Sequence, residues 1–255
     1  VGVAAGGDAT FALALNFSDV DRFSMQRTRI KICGITREQD LRAAVAAGAD
    51  AIGFVFYPKS PRYIAPAQLA ALASAMPPFV SGVGLFVNAG VEEVREAVDA
   101  GPIALLQFHG DETAEQCAAI AAAVKRPFVR AYRVKPDTGA LDLIESEAQY
   151  RAASAWFSGL LLDTWVDAYG GAGKVFDWSL IPKELAPRVV LSGGLSVQNV
   201  TGAVMRVRPF AVDISSGVEE SKGIKDARKI AAFVDAVRAA DASPETSESH
   251  HEGST

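Results

Sequence analysis

An alternation repeated along most of the chain limits its folds more than any other feature. Short apolar runs rich in Val, Ile, Leu and Phe give way to Ala-rich amphipathic stretches, the pattern of βα units whose parallel strands are buried on both faces. Eight runs are present: RIKIC (29–33), AIGFVF (51–56), VSGVGLFV (80–87), IALLQFH (103–109), FVRAYRV (128–134), GLLLD (159–163), RVVLS (188–192) and FAVDIS (210–215). Helical patterns follow most of them, such as REQDLRAAVAAG, VEEVREAVDAG, TAEQCAAIAAAV, SVQNVTGAVMRV and KDARKIAAFVDAVRAA. LDLIESEAQYRAASAW suits a helix after the fifth run, whereas DWSLIPKEL after the sixth is short and broken by Pro182. Eight units between Met25 and Ala239 predict an α/β fold, a (β/α)8 TIM barrel. The alternative is an open doubly wound sheet with one or two runs miscounted, and either fold puts function at the strand C-termini.

The barrel is expected over residues 25–240, with Met25 as the functional start. Residues 1–24 contain FALAL without a basic segment ahead of it, which argues against a signal peptide and for a disordered extension. Residues 241–255, which include DASPETSESHHEGST, offer little to bury, so the tail is expected to be disordered, with His250 and His251 solvated. A net charge of -5 and the lack of a long basic run exclude nucleic acid as an expected partner. No apolar run approaches the roughly 18 residues of a membrane span, and no obligatory protein partner is evident. The two cysteines, Cys33 and Cys117, have no metal-ligand or disulfide spacing, which favours a reducing compartment and hence the cytoplasm.

The residues just past the strands carry the chemistry. LSGGLS places Gly193 and Gly194 between strand seven and a helix, where backbone N–H groups can approach an anion at a positive helix end. DISSGVE repeats the device after strand eight with Ser215, Ser216 and Gly217, and barrels often bind phosphate between these two loops. Either loop alone would read as an ordinary turn. The segment DTWVDAYGGAGKVFDW after strand six is long and Gly-rich, which predicts a mobile loop over the site hinged at Gly170, Gly171 and Gly173. Its GGAGK is no phosphate-binding P-loop, because Val175 follows Lys174 where Ser or Thr is required.

Six motifs in order, KICGIT, GFVFYPKSPRYI, LLQFHGDE, LLLDTWVDAYGGAGKVFDW, LSGGLSVQNV and FAVDISSGVEESKGIKD, closely resemble the phosphoribosylanthranilate isomerase family from about Arg29 to Val237. The resemblance implies a metal-free, cofactor-free Amadori rearrangement of a small phosphosugar substrate in tryptophan biosynthesis. It also implies that Cys33 is the general base, Asp163 the general acid, and Arg62 the contact to the anthranilate carboxylate. The phosphate cradle falls on Gly193, Gly194, Ser215 and Ser216, and His109 and Asp213 match polar positions lining the pocket. Phe108 stands where leucine is commoner, an apolar change that packing should absorb.

Taken without the resemblance, each residue has a structural reading. Cys33 can be core packing, Asp163 a cap, Arg62 a solvated surface charge and His109 a hydrogen-bonded structural histidine. Lys31 either faces Cys33 and lowers its pKa or points outward. Cys117, among alanines, reads as core. The alternative functions are another phosphosugar-binding barrel, whose catalytic groups would differ, or a non-catalytic phosphate-ligand barrel, with no need for Cys33 and Asp163.

Overall fold

The computed structural model describes residues 27–165 and 175–243. Within them the eight apolar runs form parallel strands β1 (Arg29–Cys33), β2 (Ala51–Val55), β3 (Ser81–Phe86), β4 (Ile103–Phe108), β5 (Phe128–Val134), β6 (Phe157–Thr164), β7 (Val190–Leu191) and β8 (Ala211–Ile214). Each pairs with the next, and β8 pairs with β1, so the sheet closes into a barrel. Among the described residues seven α-helices accompany it: α1 (Glu38–Ala47), α2 (Pro66–Ala73), α3 (Val91–Ala100), α4 (Ala114–Val124), α5 (Ala140–Ala153), α6 (Val200–Val207) and α7 (Ala227–Asp241). The expected extension 1–24, residues 244–255 of the expected tail with His250 and His251, and the glycine hinges of the loop after β6 lie outside the described residues. Asp241, expected in the disordered tail, is instead the last residue of α7 and is bonded to Thr28.

After β6 the described residues hold two short 3-10 turns, Trp178–Leu180 and Ala186–Arg188, where an eighth helix would pack. Pro182 and Pro187 each lack the N–H a longer helix needs there. A second departure follows β8. Glu219–Ser221 (β9) and Ile224–Lys225 (β10) form a small antiparallel hairpin turned at Gly223, whose φ is +79°. The eightfold alternation contains no sign of it.

Strand parity sorts the core into two layers. Ile30 and Ile32 of β1, Leu106 and Phe108 of β4, and Leu160 and Leu162 of β6 are fully buried beneath the helices. Phe108 meets Phe128 edge-on at 5.5 Å, and Phe128 meets Phe157 at 5.6 Å, so the larger ring at 108 is absorbed by an aromatic row. Each such side chain contributes about 1.5–3 kcal/mol of burial. The intervening residues, Lys31, Cys33, Gly53, Gln107, Asp163 and Asp213, turn inward.

The floor of the barrel, at the strand N-termini, is stapled by charge. Asp50 accepts from Arg27 Nη1 at 2.8 Å and from the Ile30 N–H at 2.9 Å, and lies 3.6 Å from Arg238 of α7. Asp241, the last residue of α7, accepts from Thr28 N and Oγ1 at 2.9 and 2.7 Å. The last helix is thereby tied to the first strand.

Candidate active site

The C-terminal ends of the strands surround one concave cavity, open at its mouth, where a small molecule can be held. Cys33, Arg62, His109, Asp163, Gly193, Gly194, Asp213, Ser215 and Ser216 all line it, so these nine residues expected from the sequence are brought to one place, while Gly217 of DISSGVE is not among the lining residues. Val55, Tyr57, Leu85 and Val87 add an apolar wall.

Cys33 ends β1 and is buried, opposite Gly53 of β2 in register. A Cβ on Gly53 would sit 2.8 Å from Cys33 Sγ and 3.1 Å from Lys31 Cε, so this glycine makes room for both side chains. Lys31, two residues before Cys33, faces inward as well and donates from Nζ to Asp213 Oδ1 at 2.8 Å. Ser192 Oγ donates to the other oxygen of Asp213 at 3.4 Å. Burial works against the Lys31 ammonium, but Asp213 and Cys33 outweigh it and its pKa is raised. Burial likewise pushes the Cys33 thiol up, and the neighbouring Lys31 ammonium offsets only part of this.

The opposing group is a chain of three side chains. Gln107 Nε2 lies 3.0 Å from His109 Nδ1, and His109 Nε2 lies 3.0 Å from Asp163 Oδ2. With the Gln107 amide donating to Nδ1, the imidazole carries its proton on Nε2 and donates it to Asp163. Gly193 has a φ of +79°, and a Cβ there would lie 2.6 Å from Asp163 Oδ1 and closer still to the Thr164 N–H. Only glycine lets the loop after β7 pass so near the carboxyl.

The two phosphate-type loops meet at the cavity, with a difference from expectation. Helix α6 begins at Val200, not directly after Gly194, because Asn199 Oδ1 accepts from the Ser196 N–H at 2.8 Å while its Nδ2 donates to Gly194 O at 2.9 Å. That side chain competes with the first helical turn and shapes the loop instead. Gly193 and Gly194, at φ +79° and +66°, curve the backbone along the cavity. Across from them, Ser215 is held by Lys225, whose Nζ donates to its carbonyl at 3.1 Å and to its Oγ at 3.3 Å.

Arg62 reaches the cavity from the loop after β2. Its Nε and Nη2 donate to Glu219 Oε1 and Oε2 at 2.7 and 2.8 Å. Glu219 also accepts from Lys225 Nζ at 3.0 Å. Burial would raise the Glu219 pKa, but Arg62 and Lys225 outweigh it and hold the group below the usual carboxylate range. Gly34, at φ +78°, turns the chain after Cys33, and a Cβ there would lie 2.5 Å from Arg62 Cδ. The space that Gly34 leaves open is thus taken by the arginine stem.

Other loaded strand ends serve the framework. Asn88 Oδ1 accepts from the Asp111 N–H at 2.7 Å, and Arg133 pairs with Asp111 and lies over Trp165. Cys117 is buried within α4 as expected, and burial pushes its thiol up to about 12. Among the described residues no cluster of His, Cys, Asp and Glu is arranged to hold a metal ion. Sequence reasoning missed Gln107, Glu219 and Lys225. Parity with Cys33 is a signal for Lys31, and parity with His109 for Gln107, whereas the hairpin residues have none.

Residues 30–236 match the family model for N-(5'-phosphoribosyl)anthranilate (PRA) isomerase. The chain is 71% identical over 218 residues to the N-(5'-phosphoribosyl)anthranilate isomerase of Herminiimonas arsenicoxydans, covering 86% of this chain and 96% of that one. It is 61% identical over 217 residues to the enzyme of Dechloromonas aromatica (strain RCB), covering 85% and 99%. Among solved structures, phosphoribosyl anthranilate isomerase from Thermotoga maritima superposes with a TM-score of 0.73 at 42% identity, over 83% of this chain and 99% of that one. A phosphoribosyl anthranilate isomerase in complex with reduced 1-(o-carboxyphenylamino)-1-deoxyribulose 5-phosphate gives 0.71 at 40% identity, over the same shares. The chain belongs to the N-(5'-phosphoribosyl)anthranilate isomerase family.

Proposed function

We propose that Cys33 is the general base and Asp163 the general acid of the reaction that defines this family. The chain is an isomerase of tryptophan biosynthesis, converting N-(5'-phosphoribosyl)anthranilate to 1-(2-carboxyphenylamino)-1-deoxyribulose 5-phosphate by an Amadori rearrangement. The observation that carries the assignment is that a thiol and a carboxyl from β1 and β6 open on one cavity, with β7 and β8 and their anion-type loops between them.

The chemistry follows from that arrangement. Asp163 gives its proton to the ribose ring oxygen, the C1'–O bond breaks, and the anthranilate nitrogen supplies the electron pair that forms the C=N bond. The Cys33 thiolate then removes the proton at C2', leaving an enaminol. Protonation at C1' and loss of the 2'-hydroxyl proton give the ketone product. Lys31 faces the sulfur and favours its anionic form, and His109 steadies the Asp163 carboxylate once it has released its proton.

Binding is divided between the ends of the cavity. Gly193, Gly194, Ser215 and Ser216 take the phosphate of the small-molecule substrate, Arg62 its carboxylate, and Asp213 its place in the polar wall beside Lys31. The site of action is the cytoplasm, where Cys33 and Cys117 remain free thiols. Among the described residues no helix is long and apolar enough to cross a membrane. Loss of phosphoribosylanthranilate fluorescence on adding the purified protein tests the activity. Undiminished turnover in an Asp163→Asn variant would remove that residue from the mechanism.

A further inference from the structure

Arg62 enters the cavity with half its guanidinium already committed. Its Nε/Nη2 fork is filled by both oxygens of Glu219, while Nη1 has no hydrogen-bond partner among the described residues. A guanidinium offers two forks to planar anions, and the second, Nη1/Nη2, remains available at the cavity wall. Glu219 is itself tightly fixed. Its side chain is 6% exposed, and Oε1 also accepts from Lys225 Nζ and, at 3.3 Å, from the Gly223 N–H.

Lys225 is the link to the other end of the substrate. Its side chain is fully buried, and it spans Glu219 and Ser215 of the phosphate-type loop. The hairpin carrying both residues is locked onto neighbouring loops. Gly223 O accepts from Thr36 Oγ1 at 2.9 Å, and a Cβ on Gly223 would lie 2.7 Å from Pro61 O, one residue before Arg62. A buried Glu–Lys–Arg cluster is costly to desolvate, so it is an unsuitable device for stability alone.

We propose that Glu219, supported by Lys225, is a positioning residue for carboxylate recognition: it occupies one fork of Arg62, presents the other to the aryl carboxylate, and sets its distance from the phosphate loop through Ser215. The proposal rests on Arg62 being the carboxylate contact. Specificity then comes from the hairpin after β8, which holds the arginine at one angle, as well as from the arginine itself.

The test compares two ligands, reduced 1-(o-carboxyphenylamino)-1-deoxyribulose 5-phosphate and its counterpart without the ring carboxylate, by calorimetry on the wild-type protein and variants. The wild type is expected to prefer the carboxylate ligand. Glu219→Gln is expected to cut that preference by about tenfold or more, the scale of a lost charge-assisted bidentate contact, and to leave affinity for the des-carboxy ligand nearly unchanged. Lys225→Met is expected to cut it less. Equal weakening of both ligands would show a merely structural role and overturn the proposal, as would an unchanged preference. Arg62→Met separates the two readings: if it keeps the wild-type preference, Arg62 is not the carboxylate contact and the underlying assignment fails. If Glu219→Gln does not fold, Glu219→Asp, which keeps the charge but shortens the reach, is expected to show the same selective loss in smaller degree, and a preference equal to wild type there would overturn the proposal.

Discussion

The mouth and the floor of this barrel use the same kinds of ion pair in opposite ways. At the floor, Arg27 and Asp50 are 54% and 23% exposed, and their pairing joins chain segments while water still solvates the charges. At the mouth, Lys31 and Asp213 are 8% and 6% exposed, and Lys225 and Glu219 are 0% and 6%. Taking such charges out of water costs more than a solvated pair ever would, and apolar residues of similar size would hold the barrel at least as well. The difference teaches where stability ends and function begins: floor charges staple, whereas mouth charges hold groups in fixed orientation around a cavity.

Breaking the comparison should therefore give opposite phenotypes. The largest expected effect is at the mouth, where Asp163→Asn keeps shape but cannot donate a proton. Steady-state kinetics should show kcat lower by about 10² or more with KM little changed, at an unaltered melting temperature. Gly53→Ala should come next. The new methyl would displace Cys33 Sγ, so kcat should fall by about tenfold or more even though no ionisable group has changed. Wild-type turnover in that variant would mean that the position of the sulfur is unimportant.

At the floor the signs reverse. Asp50→Asn should cost about 1–2 kcal/mol of unfolding free energy and leave kcat/KM alone. Burial would raise the Asp50 pKa, but Arg27, the Ile30 N–H and Arg238 overcome it and hold the carboxylate below its ordinary range. Its stabilisation is thus complete above the ordinary Asp pKa of about 4 and is lost as pH falls through the lower native value. Denaturation midpoints measured downward from about pH 5 should decline less steeply in Asp50→Asn than in the wild type. Equal slopes would take Asp50 out of the acid response. The smallest effect should come from removing residues 1–24 and 244–255, because β1 pairs with β8 and Asp241 secures Thr28 without them. A melting temperature clearly below that of the full chain would show that one of these segments contributes.

The strands were legible because a parallel barrel buries every strand on both sides, which leaves a continuous apolar run such as GLLLD or IALLQFH that little else explains. The nine expected site residues followed from strand ends and motifs, and all of them line the cavity. The features that escaped notice are those that depend on another part of the chain. A lysine near a strand end is usually solvated, which leaves the orientation of Lys31 ambiguous in isolation, yet Cys33 and Lys31 are two residues apart and must share a face. Glu219 and Lys225 sit in EESKGIKD, which reads as a solvated turn until Arg62, more than 150 positions away, is brought against it. The break in the outer helical ring after β6 was half visible in Pro182, and Pro187 completes it.

The central claim is that the lone cysteine ending β1 does chemistry and not packing, and Cys33→Ala tests it most directly. Turnover of phosphoribosylanthranilate and binding of reduced 1-(o-carboxyphenylamino)-1-deoxyribulose 5-phosphate should be measured on the same folded preparation, with Cys117→Ala as the control. The account predicts that Cys33→Ala binds the ligand about as well as the wild type but turns over at most about 1% as fast, and that Cys117→Ala keeps full activity per folded molecule. Turnover in Cys33→Ala close to that of the wild type, with ligand binding intact, would contradict it and move the base elsewhere on the cavity wall.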